Sequence, residues 1–343
     1  MGFTALRYVP YGSLGTPVPS VVVDGSPAEG TVLCLSHWPG IGSPAEFWAD
    51  LSAEMAFLYV DAGGGRHGPA SVVSNNHFDQ DGLVGVFALS SPEEAETRRA
   101  LLIEVARAGD FGLTEARRAA RVSMVIAAYA DPERSPLAGL PDSSDYEGQT
   151  AALYSELLGL LPELCDHVDR FEALWGEEDA TLDASEAALA SGAVTIAEVP
   201  ELDLAVISVP EDAPDAGGHR FGGLWLPGLH PMAVNGATER GALLTVRGRR
   251  YQFEYRYESW VQFRSRRVRP RVDLAPLAEA LSAAEFEAGG SVTWTADRVS
   301  GLTPVLGPAG SAESTLEPAV VRALVETHLR GAPAAWDPFR ITR

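Results

Sequence analysis

Residues 71–90 have the sequence SVVSNNHFDQDGLVGVFALS, in which a polar loop separates two apolar runs. The first run is short and rich in β-branched residues, which predicts a buried strand. The second run, LVGVFALS, follows a glycine and predicts the start of a buried helix. This order is typical of a parallel α/β sheet, in which functional side chains lie where the strands end.

The sequence around this stretch continues the α/β pattern. PSVVVDG (19–25) and TVLCLSHW (31–38) predict strands, and FWADLSAEMA (47–56) has helical spacing. FLYVDAGGG (57–65) predicts a further strand that ends in a turn. Strands alternating with helices indicate a parallel sheet covered on both faces.

The pattern changes after two helical segments, 92–130 and 148–191. AVTIAEVP (193–200) and LDLAVISVP (202–210) predict paired strands, and GALLTVRG with RRYQFEYRYESWVQF (241–263) predicts a β-hairpin. Helices are expected over 273–288 and 316–330. We therefore predict an α/β fold with a parallel-sheet, metal-binding N-terminal domain (1–135), an acidic helical connector (136–192) and a smaller α+β substrate-binding domain (193–343).

The composition excludes several classes of protein. The 343 residues carry a net charge of −21, which argues against binding long nucleic acids. All the basic residues are arginines, so lysine Schiff-base chemistry and a P-loop lysine are excluded, and two cysteines exclude a disulfide scaffold. The sequence has neither a signal peptide nor an apolar run that could span a membrane, so we expect a cytoplasmic protein without a membrane partner. The sequence leaves open whether two copies of the chain form a homodimer.

The charges are unevenly distributed. Residues 131–215 contain 21 acidic residues and two arginines, whereas residues 240–271 contain ten arginines and two glutamates. The basic strip, which we define as residues 247–271, alternates arginines with aromatic side chains. Guanidinium groups bind anions and aromatic rings stack on bases, so we expect Arg264, Arg266 and Arg267 to contact an anionic substrate. Alternatively, these arginines pair with the acidic segment.

The polar loop of residues 75–82 predicts a metal site. His77, Asp79 and Asp81 supply one imidazole and two carboxylates, which suit Mn²⁺ first, with Mg²⁺ or Zn²⁺ as alternatives. The alternative interpretation is that one aspartate only caps the following helix. His37, Asp61 and Asp110 lie at other predicted strand or helix ends. We expect Asp61 and Asp110 to complete the metal ligands, His37, His77, Asp81 and Asp110 to act in catalysis, and Asn75 and Asn76 to bind substrate.

The spacing His77-x-Asp79-x-Asp81-Gly82 resembles the first motif of DHH-type metal-dependent phosphoesterases. Those enzymes pair an α/β metal-binding domain with a C-terminal domain that grips the substrate through a glycine-rich stretch ending in His-Pro. FGG (221–223) and GLHP (228–231) are similar but interrupted, and the resemblance implies that Gly228 and His230 approach a phosphate. This chain lacks the Asp-His-His triplet, and about 75 residues precede the motif. SHWPG, NNHFDQDG, AGDFG and YRYESWV together also resemble a family of actinobacterial proteins with no assigned activity.

These observations predict a metal-dependent hydrolase. We expect it to cleave a phosphoester in a small anionic substrate, with a nucleotide among the candidates, held in a cleft between the domains. His37 or His230 would act as an acid or stabilise charge. One alternative is a metal-dependent hydrolase of amide or amine bonds in specialised metabolism. Another is a protein with a degenerate DHH-like site that senses a nucleotide without turnover.

Overall fold

The parallel sheet predicted around residues 71–90 is present in the computed structural model, which describes residues 3–14, 18–64, 70–140, 144–213 and 229–341. The chain divides into two units, the first ending at Asp179 and the second beginning at Ala180. The first unit contains strands β1 (Arg7–Tyr8), β2 (Ser20–Val23), β3 (Thr31–Leu35) and β4 (Val72–Ser74). Their order is β1-β4-β2-β3 and all pairs are parallel, which confirms an α/β fold.

Among the described residues, one α-helix connects β3 to β4 and six more follow β4 before the next strand of the chain. They are α1 (Ser52–Asp61), α2 (Gln80–Ser90), α3 (Pro92–Thr97), α4 (Arg99–Asp110), α5 (Arg117–Ala130), α6 (Tyr146–His167) and α7 (Glu172–Ala190), the last of which contains the division between the units. α2 is buried along nearly its whole length and packs against α1 and α4. The predicted connector is thus divided, with α6 in the first unit.

The strand predicted over residues 57–65 is wrong, because residues 57–61 belong to α1. Met55, Phe57 and Tyr59 are all buried in this crossover between β3 and β4. A short apolar run buried on several sides has the same composition in a strand and in a helix, so periodicity did not separate the two. Asp61 consequently lies at the end of a helix and not at the edge of the sheet.

The second unit contains a mixed sheet in the order β10-β11-β8-β7-β6-β5. Its strands are β5 (Thr195–Val199), β6 (Leu204–Val209), β7 (Ala242–Arg247), β8 (Arg250–Tyr255), β10 (Trp294–Ala296) and β11 (Val305–Pro308), and β9 (Arg271–Val272) pairs separately with β12 (Ala334–Trp336). The helices are α8 (Pro231–Ala237), α9 (Ala275–Glu287) and α10 (Pro318–Gly331). The predicted hairpin is confirmed, although β8 ends at Tyr255 and a 3₁₀ turn follows.

Alternation of side chains explains how this sheet is covered. Leu204 and Val206 of β6 join one buried cluster with α9 and α10, while Ala205 and Ile207 join another with α8. Successive side chains of a strand point to opposite faces, so both faces of β6 are buried. None of the described helices is both long and apolar enough to cross a bilayer.

Gly85 lets α2 approach β2. A Cβ at this position would lie 2.4 Å from Val23 Cγ1, beside the strand end that enters the site described below. We expect Gly85→Ala to destabilise the protein by about 1–3 kcal/mol through overpacking. Gly159→Ala is the matched control, because a Cβ added at Gly159 in α6 would meet nothing within 4 Å. That control should stabilise by about 0.5–1 kcal/mol, and urea unfolding of both variants measures the contrast; equal effects would contradict the packing argument.

Candidate metal centre

Three neighbouring strands bring the candidate site together. Asp24 directly follows β2, and β2 lies between β4 and β3 in the sheet. His77 follows β4 and His37 follows β3, so the two imidazoles reach Asp24 from opposite sides. His77 Nε2 lies 3.2 Å from Asp24 Oδ2, and His37 Nε2 lies 3.4 Å from Asp24 Oδ1. The strand order therefore makes Asp24 the centre of the site.

Asp24 is a candidate ligand that was not predicted from the sequence. It is buried and has a left-handed backbone, with φ of 48°. Ser52 Oγ donates a 2.8 Å hydrogen bond to Asp24 Oδ1, which fixes the carboxylate. Burial raises the pKa of Asp24, but the hydrogen bond and charge of His77 and the charge of His37 outweigh it, so the pKa is lowered. The available signal was an acid next to glycine directly after an apolar strand.

The tautomer of His37 suits a metal ligand. His37 is fully buried, and its Nδ1 lies 2.5 Å from the carbonyl oxygen of Asp50. Donation from Nδ1 to a carbonyl leaves the Nε2 lone pair of a neutral imidazole facing the site. There it meets Asp24 Oδ1 and Asp110 Oδ2, each at 3.4 Å, which is long for an N–H···O hydrogen bond. A cation between these atoms would make the arrangement attractive.

Both aspartates of the predicted loop cap helices. Asp79 Oδ1 accepts from Gly82 N at the start of α2, and Asp79 Oδ2 lies 2.8 Å from His77 Nε2. Asp81 accepts from the backbone N–H groups of Ser52 and Ala53 at 2.8 Å, which caps α1. Asp79 thus caps the following helix, as the alternative interpretation predicts, and Asp81 in addition caps α1. Each carboxylate oxygen keeps a second lone pair that can bind a cation.

The charges of these groups shift one another's pKa values. Burial and the charges of Asp24 and Asp79 raise the pKa of Asp81 well above its usual value. Burial lowers the pKa of His77. The charges and hydrogen bonds of Asp79 and Asp24 together raise this pKa by more than burial lowers it, so the net shift is strongly upward. Both upward pKa shifts oppose the accumulation of negative charge in the cluster. A divalent cation would relieve the same repulsion.

The residues fit one or more divalent cations. Two groups offer ligand atoms that lie within 4.8 Å of one another: Asp24, His77 and Asp79, and Asp24, His37 and Asp81. Their imidazole–carboxylate separations of 2.8–3.4 Å suit adjacent ligands of one ion bound at about 2.0–2.2 Å. With Asp110, four carboxyl groups lie around two imidazoles, so acidic groups outnumber basic ones in the cluster.

Asp61, predicted as a metal ligand, is not part of this cluster. It lies at the end of α1, is half-exposed and forms an ion pair with Arg99 at 2.9 Å. Asn75 and Asn76, predicted to bind substrate, each hold a loop through the side-chain oxygen. Asn75 Oδ1 accepts from His77 N at 2.9 Å, and Asn76 Oδ1 accepts from Ser26 N at 3.2 Å.

His230 and the basic strip belong to the second unit. His230 is buried and caps α8, because its Nδ1 accepts from Met232 N at 3.1 Å. His230 was expected to act in catalysis, and a contact observed for its ring is this helix cap. Gly228 lies outside the described residues.

Much of the basic strip has structural contacts. Arg266 Nη2 lies 3.6 Å from buried Glu258, which also pairs with Arg256, while Arg264 and Arg267 are exposed. Arg271 is fully buried and donates to Ser259 Oγ and to the carbonyl oxygens of Arg256, Val299, Gly301 and Leu302. Burial lowers its pKa to about 9. Arg271 therefore organises loops.

Replacing Arg271 should cost stability. Arg271→Met removes hydrogen bonds from a charged donor to several buried carbonyls, and we expect a loss of about 3 kcal/mol or more. Arg267→Met, at an exposed position of the same strip, should change stability by less than about 0.5 kcal/mol. Chemical denaturation followed by tryptophan fluorescence compares the two, and a neutral Arg271→Met would refute the structural role.

Divalent metal should stabilise the wild-type chain. After chelator treatment, Mn²⁺ at about 100 times its dissociation constant should add roughly 2.7 kcal/mol to the free energy of unfolding. Asp24→Asn should abolish this gain, because it removes the carboxylate shared by both ligand groups. Asp61→Asn should retain it. Metal-dependent melting curves of the three proteins measure the effect, and an unchanged gain in Asp24→Asn would exclude this centre.

Comparison with known proteins gives a family without an activity. No curated protein and no solved structure matches the chain. A model of a family of unknown function, DUF6687, matches residues 4–340, which include the three described sheets and every residue of the candidate metal centre. The chain is therefore a member of the DUF6687 family.

Proposed function

We propose that the protein is a metal-dependent hydrolase that cleaves a phosphoester in a small anionic substrate. The observation that carries the proposal is the position of Asp24 between His37 and His77, each imidazole in its own group of three ligands. Two-metal hydrolases hold two ions close together, and a shared carboxylate is a means of doing so. The cations would be held by these residues: Asp24, His37, His77, Asp79, Asp81 and Asp110.

The chain's own residues set the approach of a substrate. Asp24, His37 and Asp81 are buried, whereas His77 is 17% exposed and Asp79 is 29% exposed. A substrate would therefore reach the centre on the side of His77 and Asp79. When bound, divalent cations supply an acidified water and positive charge that offsets the charge of a phosphoryl group.

The choice of a phosphoester is supported by the motif. His77-x-Asp79-x-Asp81-Gly82 follows a strand and leads into a buried helix, as the resemblance to DHH-type phosphoesterases implies. The hard carboxylate ligands favour Mn²⁺ or Mg²⁺, and the two imidazoles favour Mn²⁺ between them. Asp24 and His37 add ligands from outside the motif. A nucleotide remains the first substrate to test.

The activity test uses metal-loaded protein and a small phosphodiester. We expect hydrolysis of bis-p-nitrophenyl phosphate and of short dinucleotides to require Mn²⁺, and to fall at least about 100-fold in Asp24→Asn and His77→Ala. Asp166→Asn is the control, because this exposed carboxylate pairs with Arg98 on the helical surface. Release of p-nitrophenol measures the first substrate and chromatography the second.

Three results would contradict the proposal. Full activity in a folded Asp24→Asn variant would place the chemistry elsewhere. Nucleotide binding without turnover would support a sensor. Metal-dependent cleavage of amides in place of phosphoesters would support the other class of hydrolase.

A further inference from the structure

We propose that the two ligand groups hold their cations in different ways. The inner group, defined as Asp24, His37 and Asp81, retains its cation as part of the folded core. The outer group, defined as Asp24, His77 and Asp79, exchanges its cation with the solvent. This inference depends on the metal centre of the proposed function but not on the reaction that it catalyses.

The inner group is sealed by backbone contacts from several elements. Asp24, His37 and Asp81 are each at most 1% exposed. Asp81 on α2 holds the first two N–H groups of α1, and the Asp50 carbonyl just before α1 holds His37. A cation between these side chains would be enclosed by residues of α1, α2 and the end of β2.

Ser52 ties the inner group together. Its Oγ donates to Asp24 Oδ1 at 2.8 Å and accepts from His37 N at 3.3 Å, while its own N–H donates to Asp81. One residue thus contacts all three inner ligands and begins α1. Releasing the inner cation therefore requires a local opening of buried structure, which is slow in proteins.

The outer group is open on one side. His77 and Asp79 are partly exposed, and both lie in the loop between β4 and α2. Asn75 holds the backbone of His77, and Phe78 packs edge-on against Tyr154 with ring centroids 5.3 Å apart. The loop is therefore fixed by these contacts, and the partly exposed side chains of the centre belong to the outer group. Water and chelators can reach an outer cation without unfolding the unit.

This difference assigns separate consequences to the two cations. The inner cation contributes to stability and stays bound through purification. The outer cation follows the supply of divalent metal, so it determines when the centre is complete. The ligand chemistry is one imidazole with carboxylates in both groups, which means that exposure and not ligand type separates them.

The test measures metal release from the full chain. Protein equilibrated with two equivalents of Mn²⁺ is mixed with excess chelator, and free and bound Mn²⁺ are followed by electron paramagnetic resonance. We expect two phases of one equivalent each, the slow one at least about tenfold slower than the fast one. Urea below the unfolding transition should accelerate only the slow phase, because only the inner cation needs an opening.

Variants identify the phases. His77→Ala should lose the fast phase and keep one slowly released equivalent, whereas Asp166→Asn should keep both. A single phase for two equivalents, equal urea dependence of both phases, or loss of the slow equivalent in His77→Ala would overturn the inference. Binding of no cation would overturn the proposed function as well. Two phases in a protein inactive on every phosphoester would overturn only the proposed function.

Discussion

The burial of the Asp24 carboxylate between two imidazoles is the constraint around which the first unit is arranged. A buried charge of this kind costs several kcal/mol unless it is paired and hydrogen-bonded. The protein meets that requirement with His37, His77 and the hydroxyl of Ser52. His77 follows β4, whereas His37 and Ser52 both lie in the connection from β3 to β4, so the carboxylate ties together β2, β3, β4 and the start of α1.

The sequence was informative where chemistry is local. His77, Asp79 and Asp81 are close in the chain, and the structure places them in one site, joined there by His37 and Asp110. Asp24 was missed because a single acid after a strand is also typical of a turn. Its importance follows from the strand order β4-β2-β3, which long-range pairing determines and local sequence patterns do not. Asp61 was predicted to lie at the edge of the sheet, but the segment expected to be its strand is part of a helix.

Charge patterns were less informative about the second unit. The basic strip carries many arginines beside aromatic rings, a composition that also suits anion binding. In the structure Arg256 pairs with Glu258, and Arg269 and Arg271 donate to backbone carbonyls. The carbonyl groups that accept from Arg269 and Arg271 are distant in sequence, between 15 and 68 residues from the arginine that they contact. A composition count cannot separate an arginine that holds loops from one that awaits a ligand.

The left-handed backbone at Asp24 limits how this family can vary. Only glycine, asparagine and aspartate adopt such a conformation readily, because other side chains crowd the following carbonyl. The site also requires a carboxylate that is short enough to sit between two rings. Glutamate fails the first condition, asparagine and glycine fail the second, and aspartate satisfies both. Under the proposed function, a relative with asparagine or glycine at this position would lack the carboxylate shared by both ligand groups, so this single position would report the loss of the centre.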